Sequence, residues 1–206
     1  MRELSPAERT DFGRAPFCEA AFCKSIGVRE TAGEKGYSTM ERIGVRPSLD
    51  VNGIWGGYTG EGAKTIIPSK AHAKISMRLV PDQDYREIGR LFAEHFRSIA
   101  PRSVRVDVEV LHGGFPYVCP TDLPAYRAAA RAVERTFGRK PLPYYSGGSI
   151  PIISTFEKEL GVKSVLLGFG LDRDAIHSPN ESYGLENFLR GIETIVWFYR
   201  EFAAGR

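Results

Sequence analysis

The chain carries four histidines, His72, His95, His112 and His177, and these are its first candidates for proton transfer or metal binding. His177 stands apart because it follows a continuous apolar run and sits in GLDRDAIHSPNES, behind Asp172 and Asp174 and ahead of Asn180 and Glu181. A histidine among carboxylates and amides, in a loop at the carboxyl end of a buried strand, suits a metal whose neighbours fix the ring tautomer. The same loop also reads as a plain polar connection. His95 on a charged helix face, His72 on the polar side of a strand and His112 at a strand end read as solvated or structural. Ser146-Gly147-Gly148-Ser149 opens a helix, where free N–H groups favour an anion, though many such turns are only turns. Arg78, on the polar face of a strand, offers a bidentate clamp for a carboxylate or simply a solvated guanidinium. The run TGEGAKT at 59–65 fails the phosphate-loop spacing GxxxxGK[ST], and strand-like rather than helical sequence follows it. No G-x-S-x-G elbow is present, and Cys18, Cys23 and Cys119 have no C-x-x-C spacing.

These residues need elements to hold them. Residues 15–26 predict a short helix, and Leu49, Val51, Ile54 and Trp55 predict a strand interrupted at Gly53. Residues 71–80 alternate, with His72, Lys74, Ser76 and Arg78 on one side and Ala73, Ile75, Met77 and Leu79 on the other. Pro81-Asp82 ends that strand. Residues 84–100 predict a helix with Ile88, Leu91, Phe92 and Phe96 on one face, and 103–111 alternate again as a further strand. Strand, strand, helix, strand is most of a split βαβ sandwich. Gly113-Gly114-Phe115-Pro116 then marks a boundary. Beyond it, 122–137 predict an Ala- and Arg-rich helix capped by Thr121 or Asp122, and 150–160 a second helix. Residues 162–169 predict a short strand of the doubly covered parallel type, and 185–203 a final helix. The expected fold class is α/β, an α+β piece over residues 1–114 followed by an α/β piece over 115–206.

Length and composition are consistent with this. At 206 residues, 42% apolar and 26% charged, the chain is large enough to bury a real core and is not a disordered, collagen-like or disulfide-scaffold sequence. A net charge of +3, spread along the chain, gives no reason to expect nucleic acid or anionic lipid as a partner. Three cysteines are too few for a disulfide framework. No apolar run approaches a membrane span, and the first residues lack a signal-peptide core, so a cytoplasmic location is expected.

Three segments are more specific. RPSLDVNGIWGGYTGEGAKTIIPSKAHAKISMRLVPDQD at 46–84, GGSIP at 147–151 and AIHSPNE at 175–181, in this order, resemble the zinc exopeptidase and amidohydrolase family of carnosine dipeptidase, aminoacylase, carboxypeptidase G and succinyl-diaminopimelate desuccinylase. The resemblance implies a two-metal catalytic domain and a ferredoxin-like lid that mediates homodimerisation. Residues 1–114 would be the later part of that lid and 115–206 the closing part of the catalytic domain. It further implies that His177 is the last metal ligand and borders the substrate, that Arg78 holds the substrate carboxylate, and that Thr65 contacts substrate. Ser149 with Gly148 would meet the substrate's terminal group. The implied metal is Zn2+ or another divalent ion such as Mn2+, and the implied substrate is a dipeptide or N-acyl amino acid.

The sequence also departs from that family. The family's H-x-D motif, its Asp-Glu-Glu and further Asp, and its lid histidine have no counterpart here. Tyr145-Ser146 stands where Arg-Glu is common, Asn52 where some dipeptidases have histidine, and the bulkier Ile176 precedes the loop histidine. The expectation is a C-terminal half, inactive alone. The alternatives are a subunit completed by a separate N-terminal chain, and a non-catalytic dimerising module.

Overall fold

A computed structural model describes residues 3–146 and 150–205. They form seven α-helices and a two-stranded sheet, a mixed helix and strand architecture. The chain divides into two compact units, Met1–Tyr117 with Tyr144–Ser154, and Val118–Pro143 with Thr155–Arg206.

The first unit opens with α1 (Pro6–Gly13), α2 (Glu19–Ile26) and α3 (Thr39–Val45). Both α1 and α3 start on a reciprocal capping box, Ser5 with Glu8 and Ser38 with Glu41, which satisfies backbone N–H groups that the first turn leaves unpaired. Hydrophobic periodicity was silent for these two short helices; the S-x-x-E spacing is what encodes them. Glu41 is buried and pairs with Arg9 at 2.9 Å. Tyr37 lies between the guanidinium groups of Arg9 and Arg46, at 5.0 and 4.4 Å from its ring centre.

The sheet pairs β1 (Ser48–Gly56) with β2 (Ala71–Arg78) in antiparallel register, from Ser48 opposite Arg78 to Gly56 opposite Ala71. Val51 pairs with Ile75 and Gly53 with Lys74, so Asn52 is the extra residue of a bulge. The bulge keeps Leu49, Val51 and Ile54 on the face of Met77, Ile75 and Ala73, although their spacing breaks strict alternation. Trp55, His72, Lys74 and Arg78 share the other face. Helix α4 (Tyr85–Ser98) follows, with the Asp84 carboxylate accepting the Arg86 N–H at 2.8 Å.

Residues 103–111, expected as a strand, join no ladder among the described residues. Their alternation specifies an extended chain with one apolar side, whereas a ladder requires a strand edge to pair with. Here Val110 packs against α4 instead, where a Cβ added at Gly89 would lie 3.2 Å from its side chain.

In the second unit, α5 (Pro124–Phe137) packs on α7 (Leu185–Ala204). Ala128, Ala129 and Ala132 on α5 and Gly191 and Thr194 on α7 are buried, and their small size brings the two backbones close. The cap of α5 is Leu123 rather than Thr121 or Asp122, with no side-chain bond. Pro124 in the first turn lacks an N–H, so one donor fewer is left without a partner at this helix start. Helix α6 (Ile152–Leu160) precedes residues 162–169, expected as a strand, which likewise join no ladder among the described residues. Val165, Leu167 and Phe169 are half-buried while Leu166 between them is exposed. Phe169 stacks on Phe137 of α5 at 6.0 Å.

Candidate functional site

The loop carrying His177 begins where the apolar segment 162–169 ends. Residues Asp172–Asp174 form a single 3-10 turn, and Asp174 is buried at 3% exposure. Its carboxylate accepts the Leu171 N–H at 2.7 Å, and its carbonyl accepts the Ser182 N–H at 2.9 Å, so one residue closes the loop from both ends. The base is fixed to α7 by Asn187, whose side-chain amide donates to the Phe169 carbonyl at 2.9 Å.

Between these anchors the backbone turns sharply. Ala175, His177 and Asn180 have φ values of 54°, 63° and 64°, the left-handed region that a side chain disfavours. Ser178 N–H donates to the Ala175 carbonyl and Glu181 N–H to the Ser178 carbonyl, at 2.9 and 3.2 Å. Each such residue costs on the order of 1–3 kcal/mol, and the surrounding bonds hold it in place. The outcome is that His177 is presented exposed at the tip of a loop with a pinned base.

Asp174 was singled out in the sequence only as a carboxylate near His177. Its burial and its two backbone bonds make it the organiser of the loop. The one available signal was its place directly after Gly170-Leu171-Asp172-Arg173, where a polar turn closes an apolar run.

In the first unit, Arg78 ends β2, exposed, on the face that also carries His72 and Lys74. That face is cationic apart from Asp50, which pairs across from Ser76 and accepts a hydrogen bond from Ser48. Such a surface favours an anionic group. His72 stacks on Trp55 across the ladder, ring centres 5.1 Å apart and nearly parallel, as a structural reading of that histidine expects. Thr65 lies exposed in the connection between β1 and β2. Farther along that connection Ile66, Ile67 and Pro68 wall an open cleft of about 310 Å3 with Trp55 and His72. His95 and His112 are exposed. Gly148 and Ser149 lie outside the described residues.

The donor set decides what metal chemistry these residues support by themselves. A structural or catalytic divalent site needs at least three protein ligands converging on one point. Among the described residues no three His, Cys, Asp or Glu side chains converge in that way. His177 with its loop neighbours therefore does not fit a complete metal site, and no catalytic step through a metal is derived from them. No helix among the described residues is long and apolar enough to cross a membrane.

Comparison with known proteins gives these features a context. The profile of Peptidase family M20/M25/M40 matches residues 5–201. The Cys-Gly metallodipeptidase of Schizosaccharomyces pombe is 31% identical over 208 residues, covering 99% of this chain and 44% of the relative. That of Candida albicans is 38% identical over 152 residues, covering 72% of this chain and 31% of the relative. Human Beta-Ala-His dipeptidase is 31% identical over 160 residues, covering 76% of this chain and 32% of the relative. Among solved structures, a di-peptidase from Saccharomyces cerevisiae superposes with a TM-score of 0.85 at 28% identity, over 98% of this chain and 43% of that one. Human carnosine dipeptidase 1 gives 0.85 at 26% identity, over the same shares. The chain thus spans less than half the length of these relatives. A match over nearly its whole length, carried by both sequence and fold, makes the chain a member of peptidase family M20/M25/M40.

Proposed function

We propose that the chain serves in hydrolysis of a dipeptide or N-acyl amino acid, supplying substrate-holding residues and one metal ligand of a two-metal site. The observation that carries this reading is the exposed His177 on a loop pinned by Asp174, within a chain of the M20 family. His177 would ligate Zn2+ or another divalent ion such as Mn2+ and border the substrate. Arg78 would clamp the substrate carboxylate by two parallel N–H bonds. Thr65 would contact substrate from the β1–β2 connection, and Gly148 with Ser149 would meet its terminal group. Residues 1–114 would act as the later part of a ferredoxin-like dimerising lid, and 115–206 as the closing part of a catalytic domain working in the cytoplasm. The remaining ligands and the proton-transferring carboxylate would come from residues outside these 206, because His177 cannot by itself complete a closed ligand set.

A second reading, a subunit completed by a separate chain, draws support from the same shortfall of ligands. The test measures hydrolysis of Cys-Gly, β-Ala-His and N-acetyl amino acids by the purified chain. The expected result is no turnover and weak zinc binding for the chain alone, with activity appearing once a polypeptide bearing the missing ligands is co-expressed. His177→Ala should then abolish that activity. Robust hydrolysis by the chain alone, lost on chelation and restored by metal, would overturn the reading.

A further inference from the structure

The chain leaves the second unit after Pro143 and rejoins it at Thr155, and between these points Tyr144–Ser154 packs within the first unit. Two notches seat this segment. At its start the Tyr145 ring stacks on Phe12 of α1, with ring centres 5.8 Å apart and planes inclined by 22°. The Tyr145 carbonyl lies against Gly44 of α3, where an added Cβ would come within 2.9 Å of that oxygen and 3.0 Å of the Phe12 ring. Only glycine admits a main chain that close. Gly44 is buried within the helix and its φ is not left-handed, so neither helix propensity nor a cap accounts for it. At the far end Pro151 covers Gly114, where a Cβ would lie 2.8 Å from the proline side chain. The Pro151 carbonyl accepts the Ser154 hydroxyl at 2.9 Å, and the Ile153 N–H donates to the Ile150 carbonyl at 3.1 Å.

We propose that Phe12, Gly44 and Tyr145 are positioning residues for Gly148 and Ser149, fixing where the chain enters the stretch that holds the substrate. The inference rests on the reading above that Gly148 and Ser149 meet the substrate's terminal group. Tyr145 stands two residues before Gly147 and Pro151 two after Ser149, so the seats hold the chain on both sides of that stretch. The Gly44 notch grips a main-chain oxygen rather than a side chain, and so sets the path of the backbone itself. Space-filling alone is a weaker account: Tyr145 is only half-buried, and a ring that merely filled space would ask nothing of Gly44. Tyr145 also stands where the resembled family commonly has Arg, which cannot make this ring-on-ring stack. Groups that hold a substrate are only as accurate as the backbone that carries them, and a displacement of about 1 Å can cost on the order of a hundredfold. A contact made equally to substrate and transition state shows its loss in KM rather than in kcat.

The experiment has two arms. In the chain alone, nuclear Overhauser contacts between the Phe12 and Tyr145 ring protons are expected for the parent, and for Tyr145→Phe between the two phenyl rings; Gly44→Ala should abolish them. The second arm uses the chain co-expressed with a polypeptide bearing the missing ligands. Tyr145→Ala and Gly44→Ala should each raise KM for Cys-Gly about tenfold or more while kcat stays within about twofold, and Tyr145→Phe should restore the parent KM. A merely structural role would instead reduce the folded fraction, and with it the apparent kcat, at constant KM. Tyr145→Ala introduces no clash, so it carries the test if Gly44→Ala fails to fold. Absence of ring contacts in the parent, an unchanged KM for Tyr145→Ala, or a loss confined to kcat would each overturn the proposal. No turnover by the co-expressed parent would sink the catalytic reading and the substrate role of the seat with it. Turnover by the parent with an unmoved KM in the variants would sink the seat's role alone.

Discussion

The Asp174 carboxylate accepts the Leu171 N–H at 2.7 Å from a position only 3% exposed, and so fixes the turn from which the His177 loop departs. A buried carboxylate gains its place by bonding the backbone, and the backbone it bonds carries a strained, exposed histidine three residues later. Replacing Asp174 by Ala leaves the Leu171 N–H without its acceptor, which should cost about 1–3 kcal/mol of stability. Asp174→Asn keeps an acceptor oxygen and should recover part of that loss. Urea unfolding of the three proteins checks the order, and equal midpoints would show that the bond organises nothing.

The α5–α7 contact depends on small residues. Ala132 and Thr194 are both fully buried, at 0% exposure, and the Thr194 hydroxyl donates to the Arg190 carbonyl at 2.7 Å. Ala132→Leu should force the helices apart and lower stability by about 1–3 kcal/mol, read as a fall in the unfolding midpoint. Leu at Lys158, on exposed α6, should change little.

Glu19 gives a pH signature. The hydroxyls of Thr31 and Thr39 donate to its carboxylate and hold its pKa below the ordinary value of 4.5. A carboxylate whose pKa is lowered on folding adds stability above its unfolded pKa and loses it as pH falls through the folded value. Thr31→Val with Thr39→Val should therefore flatten the acid-side decline of Tm between pH 5 and 3 (a window set by that ordinary value). An unchanged decline would assign it to other carboxylates.

The β1–β2 ribbon tests the dimer expected of the lid. Its apolar face leaves Leu49, Val51 and Ile54 exposed by 54, 56 and 78%, and no third strand joins it among the described residues. Self-association by edge pairing should give a dimer mass at micromolar concentration in light scattering. Ile54→Lys should reduce it, and a monodisperse monomer of the parent would sink the expectation.

Deleting Asn52 isolates the role of the bulge. With that residue gone, β1 can keep its pairing only by moving Ile54 off the face of Ala73 or by slipping register. The expected outcome is a less stable ribbon with faster amide exchange across 71–78. Unaltered exchange would mean that the register does not depend on the bulge.

The sequence by itself determined the elements whose signal is local. Alternation over 71–80 placed β2 and put Arg78 on its polar face, apolar periodicity placed α4, and an Ala- and Arg-rich composition placed α5. The S-x-x-E spacings of Ser5 and Ser38 encode α1 and α3 just as locally, through capping rather than periodicity. The motif around His177 and the runs at 46–84 and 147–151 carried the resemblance to the family, because specific residues in a fixed order are far more selective than composition. Tertiary structure decided the rest. Residues 103–111 and 162–169 have strand sequences without ladders, since an extended chain becomes a strand only when another edge meets it. The burial of Asp174, and with it the geometry of the His177 loop, follows from where Leu171, Ser182 and Asn187 arrive once α7 packs on α5. Hydrophobic periodicity does not encode that convergence, because it rests on polar bonds within one loop and from the base of that loop to the first turn of α7, not on an apolar stripe.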